Sequence, residues 1–450
     1  MTYNPIESAA LVAPDGTGLG IYDMLRTDGV LVFEAGGSSS DSHTPFTHDY
    51  VTESVANGKI FRFWYNEDSD KGDYIGQSGD SRPNWATDPN QARVNGKHDL
   101  VNLFPVLVDV SAFRAAWGDL ATFRLYDRSG RLRHCRLSDV SPDEAGSIQT
   151  SAVETDAREP LEAAVLHAFD RDGVDVGDWL DENGRAMLAV MAGGPVEPWY
   201  GPELVVSLGD AEVFRSALPL QITSVDEMYR YLTLRGAEAG GTFVSAMPGM
   251  PPNRPDDETD GKNYVFVHGY NVNASQSRAW ARAMFKRLWW AGLKSKFTAV
   301  DWFGDDSQIP VPVVGDVSPN YYINVEHAFM TAEALKNACD ALPGEKVMMA
   351  HSLGNMLVSA AAKDFNLQYS KYYMLNAAVP MEAYDASSQS GLMVDGAWKD
   401  MDTSFRASRW SEQFESTPYE GDFRKYLSWK GRFAGIHDAV NCYSPTEDIL

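Results

Sequence analysis

Residues 346–365 read KVMMAHSLGNMLVSAAAKDF, and this stretch decides the fold of the second half of the chain. The apolar run VMMA is followed at once by HSLG, and small and apolar residues then recur at helical spacing. The pattern predicts a buried strand that turns sharply into a helix. Such a turn lifts the hydroxyl of Ser352 out of the sheet, and the backbone N–H of Leu353 faces the space above it.

Strand and helix nearly collide at such a turn, so small residues are needed on both sides, and Ala350 and Gly354 supply them. The pentapeptide AHSLG resembles the G-x-S-x-G nucleophile elbow of the α/β-hydrolases, with Ala350 in place of the first glycine. The resemblance implies that Ser352 is a nucleophile. The alternative interpretation is an ordinary turn between a strand and a helix, and the sequence upstream favours the elbow.

A second apolar strand is predicted at residues 264–267, and it ends in the tetrapeptide HGYN. This turn resembles the His-Gly turn of lipases and esterases. Gly269 lets the backbone fold so that the N–H of Tyr270 points at a developing negative charge. The resemblance therefore implies an oxyanion hole formed by Leu353 and Tyr270, and two aimed N–H groups lower an acyl-transfer barrier by several kcal/mol.

Helices and strands alternate between the two turns. Residues 277–292 and 324–342 are predicted helices, and residues 297–302 form a third predicted strand. This alternation predicts an α/β doubly wound parallel sheet. The order and spacing resemble an α/β-hydrolase domain at residues 263–450.

Composition excludes several classes of partner. A hydrophobic content of 44 % predicts a well-buried globular protein, and a net charge of −25 disfavours nucleic acids and anionic membranes. We expect no signal peptide, because the first residues are neither basic nor apolar, and no transmembrane segment. The three cysteines are too far apart to predict a disulfide framework or a metal cluster. They are Cys135, Cys339 and Cys442.

The first half of the chain is predicted to be rich in strands. Residues 1–150 form an all-β, sandwich-like domain in which strands 121–127 and 131–137 pair as a hairpin. Residues 151–245 form a second β-rich domain that contains a hairpin across Gly209 and Asp210. The other predicted strands lie near residues 29–34, 60–65, 103–110, 185–193, 203–208 and 212–222.

A short helix with an acidic first turn is predicted at residues 227–235. The segment 246–262, rich in proline and aspartate, is interpreted as an exposed linker, although a long loop within one domain fits as well. Residues 66–73 alternate oxygen-bearing side chains with a nearby glycine. They fit either a calcium loop or a solvated turn, and the turn is favoured because the glycine is one position late.

Residues 381–430 interrupt the α/β alternation with a dense set of aromatic residues. They are interpreted as a lid over an apolar pocket above the serine, or as the small core of an insertion, and the two readings are compatible. The set comprises Trp398, Phe405, Trp410, Phe414, Tyr419, Phe423, Tyr426 and Trp429.

The last predicted strand, residues 438–443, leads into SPTEDIL. In the α/β-hydrolases the triad acid lies just past such a strand, so the resemblance implies Asp448 as this acid, with Glu447 as its rival. An ionised carboxylate there would orient a histidine and stabilise its imidazolium.

The histidine is the point at which the chain departs from the family pattern. Only His437 follows Ser352, and a rise of about 3.3 Å per residue puts it roughly 20 Å from the catalytic edge. A triad of Ser352 and His437 with Glu382 or Asp385 fails on the same distance. We therefore expect the last helix, the last strand and the histidine to be missing. The chain would then be a fragment with negligible turnover, or a degenerate enzyme.

The sequence thus predicts a serine hydrolase of the esterase or lipase type, which needs no cofactor or metal and acts on a small-molecule or lipid ester. The alternative is a non-enzymatic binding or surface module, in which the β-rich half binds a ligand and the hydrolase-like part is a scaffold.

Overall fold

The computed structural model describes residues 31–34, 60–67, 92–94, 99–137, 164–218, 220–239, 244–245, 249–304, 309–311, 315–317, 321–384, 409–418 and 420–443. The chain divides into two compact units. The first contains residues 1–228, 252–254 and 282–294, and the second contains residues 229–251, 255–281 and 295–450.

The first unit is built from two larger sheets and one strand pair. One sheet has the order β1-β4-β9-β6-β7-β3, the other has the order β11-β10-β5-β8, and β12 pairs with β2. The strands are β1 (Leu31–Glu34), β2 (Phe61–Trp64), β3 (Ala92–Arg93), β4 (Leu103–Asp109), β5 (Ala121–Asp127), β6 (Leu132–Arg136), β7 (Val165–Ala168), β8 (Val174–Asp175), β9 (Arg185–Ala192), β10 (Pro202–Leu208), β11 (Ala211–Ala217) and β12 (Leu220–Thr223).

Antiparallel pairing in this part of the chain is confirmed, including the predicted hairpin of β10 and β11. Within the two larger sheets the described neighbours pair antiparallel except β1 and β4, which are parallel, and β2 and β12 are also parallel. A short helix, α1 (Ser111–Trp117), follows β4, and the prediction of an all-β first region misses it.

The predicted hairpin of residues 121–127 and 131–137 is wrong. Strand β5 pairs with β10 and β8, whereas β6 pairs with β9 and β7 in the other sheet. The carboxylate of Asp127 explains the turn between them, because it accepts hydrogen bonds from the N–H groups of Ser129 and Leu132 at 2.9 and 2.8 Å. The same loop signal thus carries the chain from one sheet to the other.

Most of the possible calcium loop, residues 68–73, lies outside the described residues. Asn66, its first residue, is buried and donates a hydrogen bond from Nδ2 to Oδ1 of Asp99 at 2.9 Å. The side chain of Asn66 therefore takes part in an internal polar contact.

The second unit contains a seven-stranded sheet with the order β14-β13-β16-β15-β19-β20-β21. Six of these strands are parallel, and β14 pairs antiparallel with β13 at one edge. The strands of this unit are β13 (Arg230–Thr233), β14 (Val244–Ser245), β15 (Lys262–Val267), β16 (Lys296–Asp301), β17 (Ile309–Val311), β18 (Gly315–Val317), β19 (Glu345–His351), β20 (Lys371–Leu375) and β21 (Ala439–Cys442).

The strand order places a topological switch point between β15 and β19. The chain leaves β15 for β16 on one side, and later enters β19 on the other side of β15. Crossover connections leave a crevice at the carboxyl ends of two such strands, and ligands of open parallel sheets bind there. Val267 and Ala350 are paired, so both strands end at the same edge.

Helices flank this sheet. Helices α3 (Tyr321–Ala341) and α4 (Gly354–Phe365) contact each other, and α4 also contacts β19 and β15. Their small and aliphatic residues, such as Ala328, Leu335, Leu357 and Ala360, are buried in the core with residues of the parallel strands. The other α-helices that the structure describes after α1 are α2 (Ala274–Trp290) and α5 (Trp410–Gln413). The predicted parallel α/β sheet is therefore confirmed at this level.

The predicted helix at residues 227–235 is wrong. A single 3-10 turn, Val225–Glu227, is capped by Ser224, whose hydroxyl accepts from the N–H of Asp226. The chain then forms β13, which pairs in parallel with β16. Ser224 does cap a turn, as the sequence indicated. Residues 230–233 have only a weak helical tendency and contain β-favouring residues, so pairing with β16 decides their structure.

The turn at Asp127 can be tested by mutation. Asp127→Ala removes three hydrogen bonds, from the two N–H groups and the hydroxyl of Ser129, and we expect it to cost about 2 kcal/mol of unfolding free energy. Asp175→Ala removes one exposed hydrogen bond, from the N–H of Gly177, and should cost about 0.5 kcal/mol or less. Urea unfolding followed by circular dichroism measures both, and equal losses would contradict the role of Asp127.

Candidate functional site

Ser352 sits where strand β19 turns into helix α4. The strand ends at His351 and the helix begins at Gly354, so two residues make the whole connection. The N–H of Ser352 donates to the carbonyl of Leu375 at 3.0 Å, and the N–H of Ala378 donates to the carbonyl of Ser352 at 3.1 Å. The side chain of Ser352 is half-buried at the carboxyl edge of the sheet. The predicted strand–turn–helix is confirmed.

The backbone of Ser352 is strained. Its φ is +49°, in the left-handed region, which costs a residue other than glycine about 1–3 kcal/mol. In the described part of the chain, every other non-glycine residue with positive φ is an asparagine or an aspartate, which tolerate this conformation best. These residues are Asn271, Asn366, Asn376 and Asp438.

Two glycines allow the elbow and the HGYN turn to touch. A Cβ on Gly354 would lie 2.5 Å from the carbonyl oxygen of His268, and a Cβ on Gly269 would lie 2.8 Å from the Cβ of Ser352. Neither position can hold a side chain without movement of the backbone. The close approach brings Gly269 directly against the serine.

The imidazole of His268 is fixed on both nitrogens. Its Nδ1 donates to the carbonyl of Gly269 at 2.9 Å, and its Nε2 accepts from the N–H of Trp302 at 3.2 Å. The indole N–H of Trp302 donates to the carbonyl of His268 at 2.8 Å, and the two rings are stacked. His268 is 2 % exposed and belongs to the framework of the turn.

The predicted oxyanion donors lie on the two turns that meet. Leu353 directly follows Ser352, and its N–H donates to no group in the described part of the chain. Tyr270 directly follows Gly269, and its ring packs edge-on against Tyr321 at 5.1 Å. Their backbones therefore lie on the two turns that meet at the serine.

A buried ion pair lies beside the HGYN turn. The guanidinium of Arg235 donates from Nε to Oδ1 and Oδ2 of Asp301 at 2.8 and 3.0 Å, and from another nitrogen to the carbonyl of Val272 at 2.8 Å. Oδ1 of Asp301 also lies 3.4 Å from Nε2 of His268. Burial raises the pKa of Asp301, but the charge and the hydrogen bonds of Arg235 lower it, and the pKa lies below its usual range.

The other described histidines near the sheet have aromatic partners. The ring of His351 stacks on that of Trp280, with centroids 5.3 Å apart. His437 precedes β21 and lies 3.3 Å from the hydroxyl of Tyr369, which itself precedes β20. It therefore lies at the amino ends of these strands, as predicted. In the described ranges, no histidine forms a hydrogen bond with the hydroxyl of Ser352.

The predicted acid lies outside the described residues, as do Glu447 and Asp385. Strand β21 runs parallel to β20 and ends at the edge that carries Ser352, because Leu375 pairs with Cys442 and its carbonyl binds the N–H of Ser352. Asp448 therefore follows a strand that points to the correct edge. Its role stays a prediction.

The described aromatic residues after β20 divide between the core and the surface, where Trp410 and Tyr426 are 47 % and 78 % exposed. Trp429 and Phe433 are buried, and both rings contact Phe329 of helix α3. The guanidinium of Arg424 lies between Tyr322 and Phe414, 3.9 and 4.3 Å from their ring centroids. The reading as the small core of an insertion fits these contacts, and the role as a lid stays a prediction. Trp398, Phe405 and Tyr419 lie outside the described residues.

Sequence reasoning missed Asp301, Arg235 and the residues that hold the elbow from behind. Asp301 had a usable signal, because it is a charged residue at the carboxyl end of a predicted buried strand. Arg235 had none, since the segment before it was predicted as a helix.

Comparisons with known proteins add no identification. No model of a known protein family matches the chain, and no curated protein matches it. Among the helices that the structure describes, none has both the length and the apolar character needed to cross a bilayer. The described side chains contain no cluster of three or more His, Cys, Asp or Glu residues that could hold a metal ion.

The Asp301–Arg235 pair yields a test based on pH. Asp301→Asn removes a buried negative charge that faces the guanidinium of Arg235, so we expect a loss of about 3 kcal/mol of unfolding free energy at pH 7. Because the pKa of Asp301 is lowered in the folded state, the carboxylate stabilises the protein at neutral pH. Its contribution begins to fall near pH 4, where the carboxyl group of the unfolded chain is protonated, and is lost as the pH drops through the lower pKa of the folded state.

Urea unfolding of both proteins at pH 7 and pH 3 measures this difference, which should shrink at the lower pH. Asp364→Asn is the matched control, because Asp364 pairs with Arg432 at the surface and should contribute less than about 1 kcal/mol. A difference that stays constant between the two pH values would rule out the charge as the cause.

Proposed function

We propose that the chain is a serine hydrolase of the α/β-hydrolase type that acts on carboxylic esters, with Ser352 as its nucleophile. The observation that carries the proposal is the left-handed backbone of Ser352, in a two-residue turn from a parallel strand to a helix. A serine in that conformation at a topological switch point is the arrangement that an exposed nucleophile requires.

The strand order supports the same proposal. From β16 to β21 the order β16-β15-β19-β20-β21 puts the turn after β15 next to the elbow after β19. In a hydrolase of this type these two turns supply the oxyanion donors and the nucleophile. A side chain at Gly269 or Gly354 would collide with the facing turn, so the two glycines allow the turns to lie as close together as these roles require.

The proposed chemistry is acyl transfer. The Oγ of Ser352 attacks the ester carbonyl carbon while its proton passes to a histidine base, and the N–H groups of Leu353 and Tyr270 donate hydrogen bonds to the oxyanion. The alcohol leaves with that proton, and water then hydrolyses the acyl-enzyme. Asp448 would orient the base, which is not assigned to a residue of the described ranges.

The substrate class rests on the resemblance and on aromatic surface near helix α3. Tyr270, which follows β15, packs against Tyr321, the first residue of α3, and Tyr322 is the second residue of that helix. Aromatic walls suit the acyl or alcohol group of a small-molecule or lipid ester. A fluorinated acyl probe and esters of increasing chain length would rank these possibilities.

A fluorophosphonate probe tests the nucleophile directly. We expect a form of the protein that contains the histidine base to be labelled at Ser352, as located by mass spectrometry of the labelled peptide. Ser352→Ala should not be labelled. Ser359→Ala, which changes a buried serine of helix α4, should be labelled like the wild type. Labelling elsewhere, or none in the folded protein, would overturn the proposal and favour the non-enzymatic scaffold.

The contact between the two turns gives a second test. Gly269→Ala introduces a methyl group 2.8 Å from the Cβ of Ser352 and 3.0 Å from the carbonyl oxygen of His351. A shift of the nucleophile by about 1 Å can cost a factor of about 100, so we expect labelling to slow by about tenfold or more. Gly249→Ala is the control, because its added methyl group meets open space. Equal rates for the two variants would contradict the proposed role of Gly269.

A further inference from the structure

Asn355 lies behind the elbow and joins its two ends. It is the second residue of helix α4 and is fully buried. One amide nitrogen, Nδ2, donates to the carbonyl of Ala350 at 3.0 Å and to the carbonyl of Ser352 at 2.9 Å. An amide carries two N–H groups, so both are used, one on each side of His351.

The carbonyl of Ser352 is therefore held from two directions. It accepts from the backbone and the side chain of Asn355 and from the N–H of Ala378, which follows β20. If Ser352 rotated to an ordinary negative φ, this carbonyl would turn away from both elements. The hydrogen bond that the side chain of Asn355 donates to this carbonyl thus opposes the rotation to negative φ that would relieve the backbone strain.

Tyr372 fixes the orientation of the Asn355 amide. Its hydroxyl donates to Oδ1 of Asn355 at 2.7 Å, from strand β20, next to the strand that carries the elbow. With Oδ1 accepting from a hydroxyl, Nδ2 must face the two carbonyls. Burial raises the pKa of Tyr372 well above its usual range, so the hydroxyl keeps its proton.

We propose that Asn355, held in one amide orientation by Tyr372, is a positioning residue that maintains the left-handed backbone of Ser352 and thereby aims its hydroxyl. The inference rests on the proposed role of Ser352 as nucleophile. Neither residue touches the reacting atoms, and a role in stability alone is the alternative that an experiment must separate from positioning.

The first measurement does not depend on activity. Ser352→Gly should be tolerated or stabilising, because glycine adopts positive φ without steric cost. In the Tyr372→Phe background the amide of Asn355 is no longer held in one orientation, so the backbone of Ser352 can move to a negative φ. The stabilising effect of Ser352→Gly should therefore be smaller in that background. We expect the effect of Ser352→Gly on the unfolding equilibrium constant to differ by about threefold or more between the two backgrounds.

Tyr231→Phe is the matched control for this double-mutant cycle. Tyr231 is also buried in a strand of the same sheet, and its hydroxyl donates to the Oγ of Ser277 at 3.1 Å, away from the elbow. In that background the effect of Ser352→Gly should equal its effect in the wild type. Tyr372→Phe is preferred to Asn355→Ala as the test variant, because it keeps the packing of the core and is expected to fold.

The second measurement is the rate of fluorophosphonate labelling at saturating probe, separated from the concentration needed for half-saturation. We expect Tyr372→Phe to lower the saturating rate about tenfold with an unchanged half-saturating concentration, and Tyr231→Phe to change neither by more than about twofold. A loss of stability alone would leave the labelling rate of the folded protein unchanged.

The outcomes are distinct. An additive cycle with Tyr372→Phe overturns the inference, and so does a coupled cycle with an unchanged labelling rate. A coupled cycle together with a slower rate supports it. If the wild type is not labelled at Ser352, the proposed nucleophile fails and positioning for catalysis fails with it. The double-mutant cycle still reports separately whether Tyr372 and Asn355 hold the backbone of Ser352.

Discussion

The close approach of two turns at the carboxyl edge of the parallel sheet is the constraint on which the second unit depends. The carbonyl of His268 leaves no room for a side chain at Gly354, and Ser352 leaves none at Gly269. Strands β15 and β19 must therefore pair in one register, because a slip by one residue would bring side chains into this contact. Packing of the core and geometry of the site are thus fixed by the same two glycines.

Charge reinforces this packing. The protein has a net charge of −25, yet Asp301 is buried beside the turn with a guanidinium and an imidazole. A buried carboxylate is tolerated only where partners replace its hydration, and Arg235 also binds the carbonyl of Val272, beyond the turn. The ion pair thereby ties β13 and β16 to the segment that carries Tyr270.

The elements of the second unit were predictable because their signals are local. An apolar run followed by HSLG or HGYN needs no distant residue to be recognised, and both turns were found in the expected places. The errors have a different origin. Strand β13 and the exchange of sheets after Asp127 depend on which strand pairs with which, and the Tyr372–Asn355 contact joins a strand to a helix across the core. No local pattern encodes such pairings.

The identity of the strained residue is the strongest argument that the elbow is functional. A left-handed turn between a strand and a helix could be made with asparagine or glycine at little cost, and the described chain uses asparagine at Asn271, Asn366 and Asn376. At position 352 it has a serine, and it holds that serine with Asn355 from one side and Ala378 from the other. Since packing alone gains nothing from a half-buried serine at that position, the strain supports the role proposed for its hydroxyl.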